Sequence, residues 1–347
     1  DSSTMSLPPS EIPLGAMRFN SDSQKLEYWN GSAWMQIHTL SPNLDGGARA
    51  VFMGGGQEAS PYNSDVISAF NMASGGTAID FGNTSEARRN TGQFGSATRG
   101  FLIGGANPSV SDRIDFVTFS TTGDATDFGN LTASRRAVAG GANATRGIGC
   151  GGNTPSGTNT IDFITMVSAG NAVDFGDATH TNSNDAAFAS PTRMIVGGNG
   201  PTGNCQYITI ATTGNSQDFT EVSRMDGNAG NVRIEVPAAG SNATRGLFAG
   251  GENQPAGGAN NKLIIYTTIA TLSEFSTFGD LTANKAAPGG AASKTRFVSA
   301  GGATPSYTTQ IESVQIATFG DASDFGDLAA AYVSNGGASC NDRGGFG

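Results

Sequence analysis

Charge is scarce in this chain of 347 residues. Asp, Glu, Lys and Arg together make up 14%, against the usual quarter. The 19 Lys and Arg are spread thinly and the net charge is −10. A nucleic-acid surface needs clustered basic residues, so nucleic acid is not an expected partner. Histidine is nearly missing, with only His38 and His180, far apart. The three cysteines, Cys150, Cys205 and Cys340, fit no metal knuckle. No metal, no cofactor and no His-based acid–base chemistry are therefore expected. No run of 18 apolar residues is present, so no membrane-spanning helix is expected. The first residues, Asp1-Ser2-Ser3-Thr4, lack the basic and apolar regions of a signal peptide and read as a processed or truncated start.

What the chain does have is glycine, 51 residues, and 20 phenylalanines at regular positions. Regular bulky residues between regular glycines indicate turn-linked strands rather than disorder. An Arg opening a short strand that ends in glycines occurs at Arg49, Arg99, Arg146, Arg193, Arg245 and Arg296, at intervals of 47 to 52 residues, and Arg343 opens a partial further copy. The glycine pairs, such as Gly104-Gly105 and Gly151-Gly152, accept positive φ. An apolar strand follows, for instance Ile114-Asp115-Phe116-Val117-Thr118-Phe119. A turn of the Thr-Gly-Asn/Asp-Ala type then leads into a strand built on Asp-Phe-Gly, with Phe81, Phe128, Phe175, Phe219, Phe278 and Phe325. A fourth strand is expected at positions such as Ala137-Val138-Ala139, with a turn over 140–145 leading to the next Arg.

Four short antiparallel strands per unit leave apolar faces that only neighbouring units can cover. A radial arrangement buries them and leaves only short edges. A string of sandwiches, a solenoid and a fibrous trimer are the alternatives. The expected fold is all-β: a six-bladed propeller over residues 41–347, with a C-terminal strand near 331–334 pairing into the first blade. Phe128, Phe175 and Phe325 are expected to fill the gaps between blades. The Asp-Phe-Gly triplets spell a kinase magnesium motif, but the glycine-rich loop, paired Lys and catalytic loop are missing. A glycosidase would need two carboxylates converging on one cleft. No catalytic residue and no enzyme activity are expected.

The unit resembles a kelch repeat, in its glycine pair closing a strand, the hydrophobic strand with an acidic residue, the aromatic strand and the Arg before the next unit. It has Phe where kelch units carry Trp, and it lacks their regular Tyr. The resemblance implies a kelch-like propeller.

Residues 1–40 stand apart from the repeat and hold both tryptophans. Residues 16–20, 26–29 and 32–37 read as a β-meander with an Asn30-Gly31 hairpin turn. Phe19, Tyr28, Trp29 and Trp34 are expected to form a mini-core or to pack on a partner chain, which makes this piece an attachment module. Gly15, Arg18, Asn20, Leu26, Glu27, Trp29, Asn30, Gly31, Ser32 and Trp34 resemble a segment of tail-fibre and appendage proteins of tailed bacteriophages. The repeats are similar to those of marine phage structural proteins. These resemblances imply a non-enzymatic, tail-associated virion component involved in host attachment, extracellular if the protein is cellular. They also imply oligomeric assembly, with other phage structural proteins as partners through the N-terminal module. A bacterial extracellular or surface carbohydrate-binding propeller is the second reading. The loops after the glycine pairs are expected on one face of the ring. They are polar, include Tyr62, Asn153, Asn199 and Tyr307, and suit a host surface glycan.

Overall fold

The computed structural model describes residues 11–20, 25–36, 49–198, 203–222, 233–254, 259–333 and 336–339. The chain divides into two compact units, Asp1–Leu44 and Asp45–Gly347.

In the first unit β1 (Met17–Asn20), β2 (Lys25–Trp29) and β3 (Trp34–Gln36) form an antiparallel meander. The Asn30 side-chain oxygen accepts from the N–H groups of Ser32 and Ala33 and shapes the β2–β3 turn. Side chains alternate between the faces of a sheet, and the register decides which meet. Met17 lies opposite Tyr28, Phe19 opposite Leu26, and Tyr28 opposite Met35. Arg18, Glu27, Trp29 and Trp34 occupy the other face. The expected four-aromatic mini-core is therefore split: Trp29 and Trp34 pack together with centroids 5.6 Å apart, while Phe19 and Tyr28 are on the opposite side.

The second unit is six antiparallel sheets, each ordered from an inner to an outer strand. The first joins β4 (Arg49–Gly56), β5 (Asn63–Asn71) and β6 (Ile79–Asn83). The second is β7 (Gly92–Gly95), β8 (Arg99–Ile103), β9 (Arg113–Thr118) and β10 (Thr126–Asn130). The third is β11 (Ala139–Ala142), β12 (Arg146–Cys150), β13 (Thr158–Thr165) and β14 (Val173–Asn182). The fourth is β15 (Ala186–Ala189), β16 (Arg193–Gly197), β17 (Asn204–Thr209) and β18 (Gln217–Glu221). In the fifth, β20 (Ala238–Ser241), β21 (Arg245–Ala249), β23 (Ala259–Thr268) and β24 (Ser276–Lys285) are joined by two short strands, β19 (Arg233–Glu235) and β22 (Glu252–Gln254). The sixth is β25 (Gly289–Ala292), β26 (Arg296–Ala300), β27 (Gln310–Gln315) and β28 (Ser323–Asp327). The last strand, β29 (Gly336–Ser339), pairs with β4 as the inner strand of the first sheet. The inner strands touch in the cyclic order β29, β7, β11, β15, β20, β25 and back to β29. This is a six-bladed, propeller-like ring.

Two boundaries differ from the sequence expectation for one reason. The closing strand is Gly336–Ser339 rather than 331–334, and the strand expected at 137–139 is Ala139–Ala142, running into the stretch expected to turn. Glycine reads as a turn, yet here the inner strands approach so closely that a Cβ on Gly140 would stand 2.7 Å from the Gln93 carbonyl oxygen. Small residues are the condition for six strands to close around one axis.

Six apolar cores lie between successive blades. In every outer strand the pairing register slips at the repeat phenylalanine, at Phe81, Phe128, Phe175, Phe219, Phe278 and Phe325. Such a bulge re-aims one side chain, and here it turns the ring into the gap. Phe128 packs with Ile164 and Met166 of the third blade, and Phe175 with Met194 and Ile208 of the fourth; both are 3% exposed. Phe325 is only half-buried, edge-on to Phe70 of the first blade. The Asp of the motif is local scaffolding: the Asp127 carboxylate accepts from the Gly129 N–H at 3.2 Å.

The neighbouring blade docks on the same motif. Gly170 N–H donates to Phe128 O at 2.9 Å and Ala172 N–H to Asn130 O at 2.8 Å, so the turn of one blade satisfies the outer edge of the last. A side chain at Gly129 would collide with the Gly170 carbonyl, and φ there is 150°. The marker arginines are the third tie. Arg99 donates to Met166 O at 2.9 Å, Arg146 to Ile210 O at 2.9 Å, and Arg296 to Met72 O at 2.7 Å, each reaching from its own blade to the next and the last of them closing the ring. Beneath them, Arg88 pairs with Asp115, Arg135 with Asp162, and Lys285 with Glu312, all fully or almost fully buried across blade boundaries.

Candidate functional site

Every blade has the same strand order, so the loops that follow the second strands leave the ring at one end. Gly104 and Gly151 begin these loops with φ of 61° and 67°, and Gly105 and Gly152 follow with 103°. The pair turns the chain so that the loop lies against the linker entering its own blade. Ala106 and Arg89 exchange backbone hydrogen bonds, as do Asn153 and Arg136, and Ala303 and Ala286. The candidate loops and the inter-blade linkers therefore make up one continuous face.

Three loops share a tip that the sequence reading passed over: Asn107-Pro108-Ser109, Thr154-Pro155-Ser156 and Thr304-Pro305-Ser306. In each, the first residue's N–H donates to the carbonyl of the Ser, at 3.0, 2.9 and 2.8 Å. Each is also closed at its base, as by Thr158 N–H on Gly152 O at 2.9 Å. The signal was present as a repeated Pro-Ser after the glycine pair. Neighbouring loops are tied together, with the Asn63 amide donating to the Asn107 side-chain oxygen at 3.0 Å. Side chains on loops fixed this way lose little further freedom on binding.

The predicted loop residues divide as follows. Tyr62 is 58% exposed and adopts φ of 56°. Asn153 and Tyr307 are half-buried, each at an isolated backbone bridge, to Arg136 and to Ala303 respectively. Asn199 lies outside the described residues. The fifth loop is partly strand, since Glu252–Gln254 pairs with both β19 and β23.

At the centre of this face is a cavity of about 100 Å³ lined by the starts of all six inner strands, among them Gly92, Ala139, Ala186, Pro237, Gly289 and Gly337. Around its rim Asn90, Ala137, Asn184, Val236 and Ala287 occupy equivalent corners, all with φ between 47° and 59°. Non-glycine residues pay about 1–2 kcal/mol for that conformation, and such strain gathers at functional sites. The corners support one another: Ala137 N–H donates to Asn90 O at 2.7 Å, and Val236 N–H to Asn184 O at 3.0 Å. Sequence reasoning missed these corners because only two of the five are Asn, the residue type that marks a left-handed turn.

The buried ion pairs are structural by position. Burial pulls the Arg88 guanidinium and the Lys285 ammonium below their usual ranges, against the opposing pull of Asp115 and Glu312. Burial pushes the Cys205 thiol well up. His180 is shifted down by burial and its Nδ1 meets the Thr179 hydroxyl at 3.1 Å, near the end of the outer strand β14 whose Asn182 pairs with Thr158 at the base of the third loop. Among the described residues, no group of three or more His, Cys, Asp or Glu is placed to hold a metal ion, and no helix is long and apolar enough to cross a membrane.

In the N-terminal unit the four anchoring candidates serve two faces. Trp29 is 6% exposed, covered by Trp34, and the Arg18 guanidinium stands 4.3 Å from the Trp34 ring centroid. Phe19 and Tyr28 are exposed on the other side. No protein-family model and no curated protein matches this chain.

Proposed function

We propose that the propeller is a non-enzymatic binding platform whose loop face engages a polar glycan, in a tail-associated appendage of a phage-type particle that attaches to its host. The observation that carries the binding part is the preorganised face itself: three loops of the same build, bonded to the linkers that enter their blades, around one central cavity rimmed by left-handed corners. The exposed residues of its loops are mainly Ser, Thr, Asn and Pro with Tyr62, beside the charged Glu58 and the linker residues Arg89 and Arg136; the hydroxyls and amides suit sugar hydroxyls. The assignment to a phage-type appendage, and to attachment through residues 1–40, rests on the sequence resemblance of the meander.

Glycan-array binding of the full chain tests the platform. A variant with the loops at 106–112, 153–159 and 303–309 shortened to Gly-Ser linkers is expected to lose binding while keeping its thermal transition. Unchanged binding to host surface sugars would reject the assignment.

A further inference from the structure

We propose that the apolar face of the N-terminal meander is a self-association surface that pairs with the same face of a second copy of this chain. Met17, Phe19, Leu26, Tyr28 and Met35 share this face by register, and they are 60, 66, 38, 40 and 43% exposed. The opposite face is already complete. There Arg18 and Glu27 form an ion pair at 2.8 Å, the Asn20 amide donates to Glu27 at 3.0 Å, and Trp29 is covered by Trp34. The meander thus spends its polar groups internally and turns its apolar ones outward, the reverse of an isolated water-soluble sheet. A three-stranded sheet gains independent stability when an apolar face is covered, and a contiguous exposed apolar patch marks an interaction surface.

The identity of the partner follows from what the face can match. Among the described residues it carries no charged side chain, and their one side-chain polar atom there is the Tyr28 hydroxyl, so the partner surface is itself apolar and uncharged. Eleven large apolar side chains are exposed among the described residues, and six of them are Leu14 and the five named above. The other five, Tyr62, Ile79, Val167, Val173 and Phe319, are scattered over the first, third and sixth blades. The one contiguous apolar surface of matching extent on the described chain is the meander face of another molecule. A two-fold pairing is self-complementary by construction. Covering these side chains removes on the order of 500 Å² per copy, so two copies reach the ~1,000 Å² that a specific interface requires.

This inference rests on reading residues 1–40 as the assembly module and is independent of the glycan. Sedimentation equilibrium of the full chain at tens of micromolar is expected to give the mass of two or more copies. Phe19→Ser combined with Tyr28→Ser is expected to give the 35.2 kDa monomer, with the propeller's thermal transition and glycan binding retained. Because that variant could unfold the meander, Met35→Cys and Gln36→Cys provide a second measurement with a short bis-maleimide. Cross-linking of copies at Met35→Cys above the level of the unmodified chain, and none at Gln36→Cys on the opposite face, supports the pairing. A monomeric parent chain, an oligomer that survives the double substitution, or equal cross-linking at both positions overturns it. Absence of glycan binding by an oligomeric parent chain would count against the platform and leave this pairing standing.

Discussion

Replacing the buried pair Arg135–Asp162 by two isoleucines is expected to cost less than removing either partner alone. Arg135 is 0% exposed and lies across the boundary between the second and third blades. Besides Asp162 it donates to Gly151 O at 2.7 Å and Thr160 O at 3.0 Å. Asp162 in turn accepts from the Thr132 hydroxyl at 2.6 Å and its N–H at 3.2 Å. Asp162→Ala leaves a guanidinium buried without its counter-charge, which costs about 3–5 kcal/mol. Removing both charges lifts that penalty, and apolar replacement of a buried pair is often neutral or better. What is left is hydrogen bonding. Thr160 O keeps the Gly151 N–H at 3.0 Å, and Thr132 is exposed to water, so the main orphan is Gly151 O, at about 1–3 kcal/mol. The double variant is therefore expected about 1–3 kcal/mol below the parent, and the pair to show a coupling energy of several kcal/mol in a double-mutant cycle by denaturant unfolding. Additive effects of the two substitutions would refute the reasoning. The protein supplies a precedent at the fourth boundary, where Ile234 and Ile265 occupy the positions equivalent to Arg135 and Asp162 and are both buried.

Three further outcomes are expected. Phe128→Ala should lower unfolding stability by about 3–5 kcal/mol, and Phe325→Ala by clearly less, because Phe325 is only half-buried; equal losses would contradict the packing described. Gly129→Ala should cost at least ~1–3 kcal/mol, from strain at φ of 150° and displacement of the Gly170 turn; a neutral effect on the melting temperature would show the docking to be loose. Arg18 holds the Glu27 carboxyl below its ordinary 4.5, so the folded meander resists protonation more than the unfolded chain does. The stability this contributes is complete above 4.5 and is lost as pH falls through the lower folded value; both tryptophans lie in the meander, so their fluorescence should show an acid transition that Glu27→Gln removes.

The ring was legible because its markers are bulky or unique in type. Arg, Phe and the Gly pairs recur in every unit, and the count of units and the all-β class follow from them. The positions that failed are those where one residue type serves two purposes. Gly140 and Gly141 look like a turn and are strand, since close approach of the inner strands, not chain reversal, selects glycine there. Trp29, Trp34, Phe19 and Tyr28 look like one cluster in sequence, yet period-2 alternation sends the first two to one face and the others to the opposite one. The marker arginines were visible as punctuation, while their reach to carbonyls of the next blade depends on closure of the ring, which no single repeat encodes. The loop face could be anticipated from strand order alone. Its tied tips and left-handed corners could not, because Ala137, Val236 and Ala287 carry no turn signal of their own.

At the boundary between the fourth and fifth blades three departures from the repeat coincide. The Gly that follows the repeat Phe is Thr220 in the fourth blade. The turn that would dock on it from the fifth blade lacks Gly-Asn and instead has Leu272, at φ of 51°, followed by Ser273. The charged pair is missing from the same boundary, replaced by Ile234 and Ile265. In place of the three lost features the boundary has an aromatic stack, Phe188 on Phe248 at 4.9 Å and Phe248 on Phe275 at 5.6 Å, with Phe219 6.0 Å from Phe275. Each change would be costly alone. A charge without its partner is unpaired, a Thr against a Gly-Asn turn collides, and a bulky turn against a repeat Gly leaves a gap. Made together, they exchange a polar boundary for an apolar one without opening the ring. At this boundary the outer strand of one repeat and the turn of the next thus depart together and remain matched to each other.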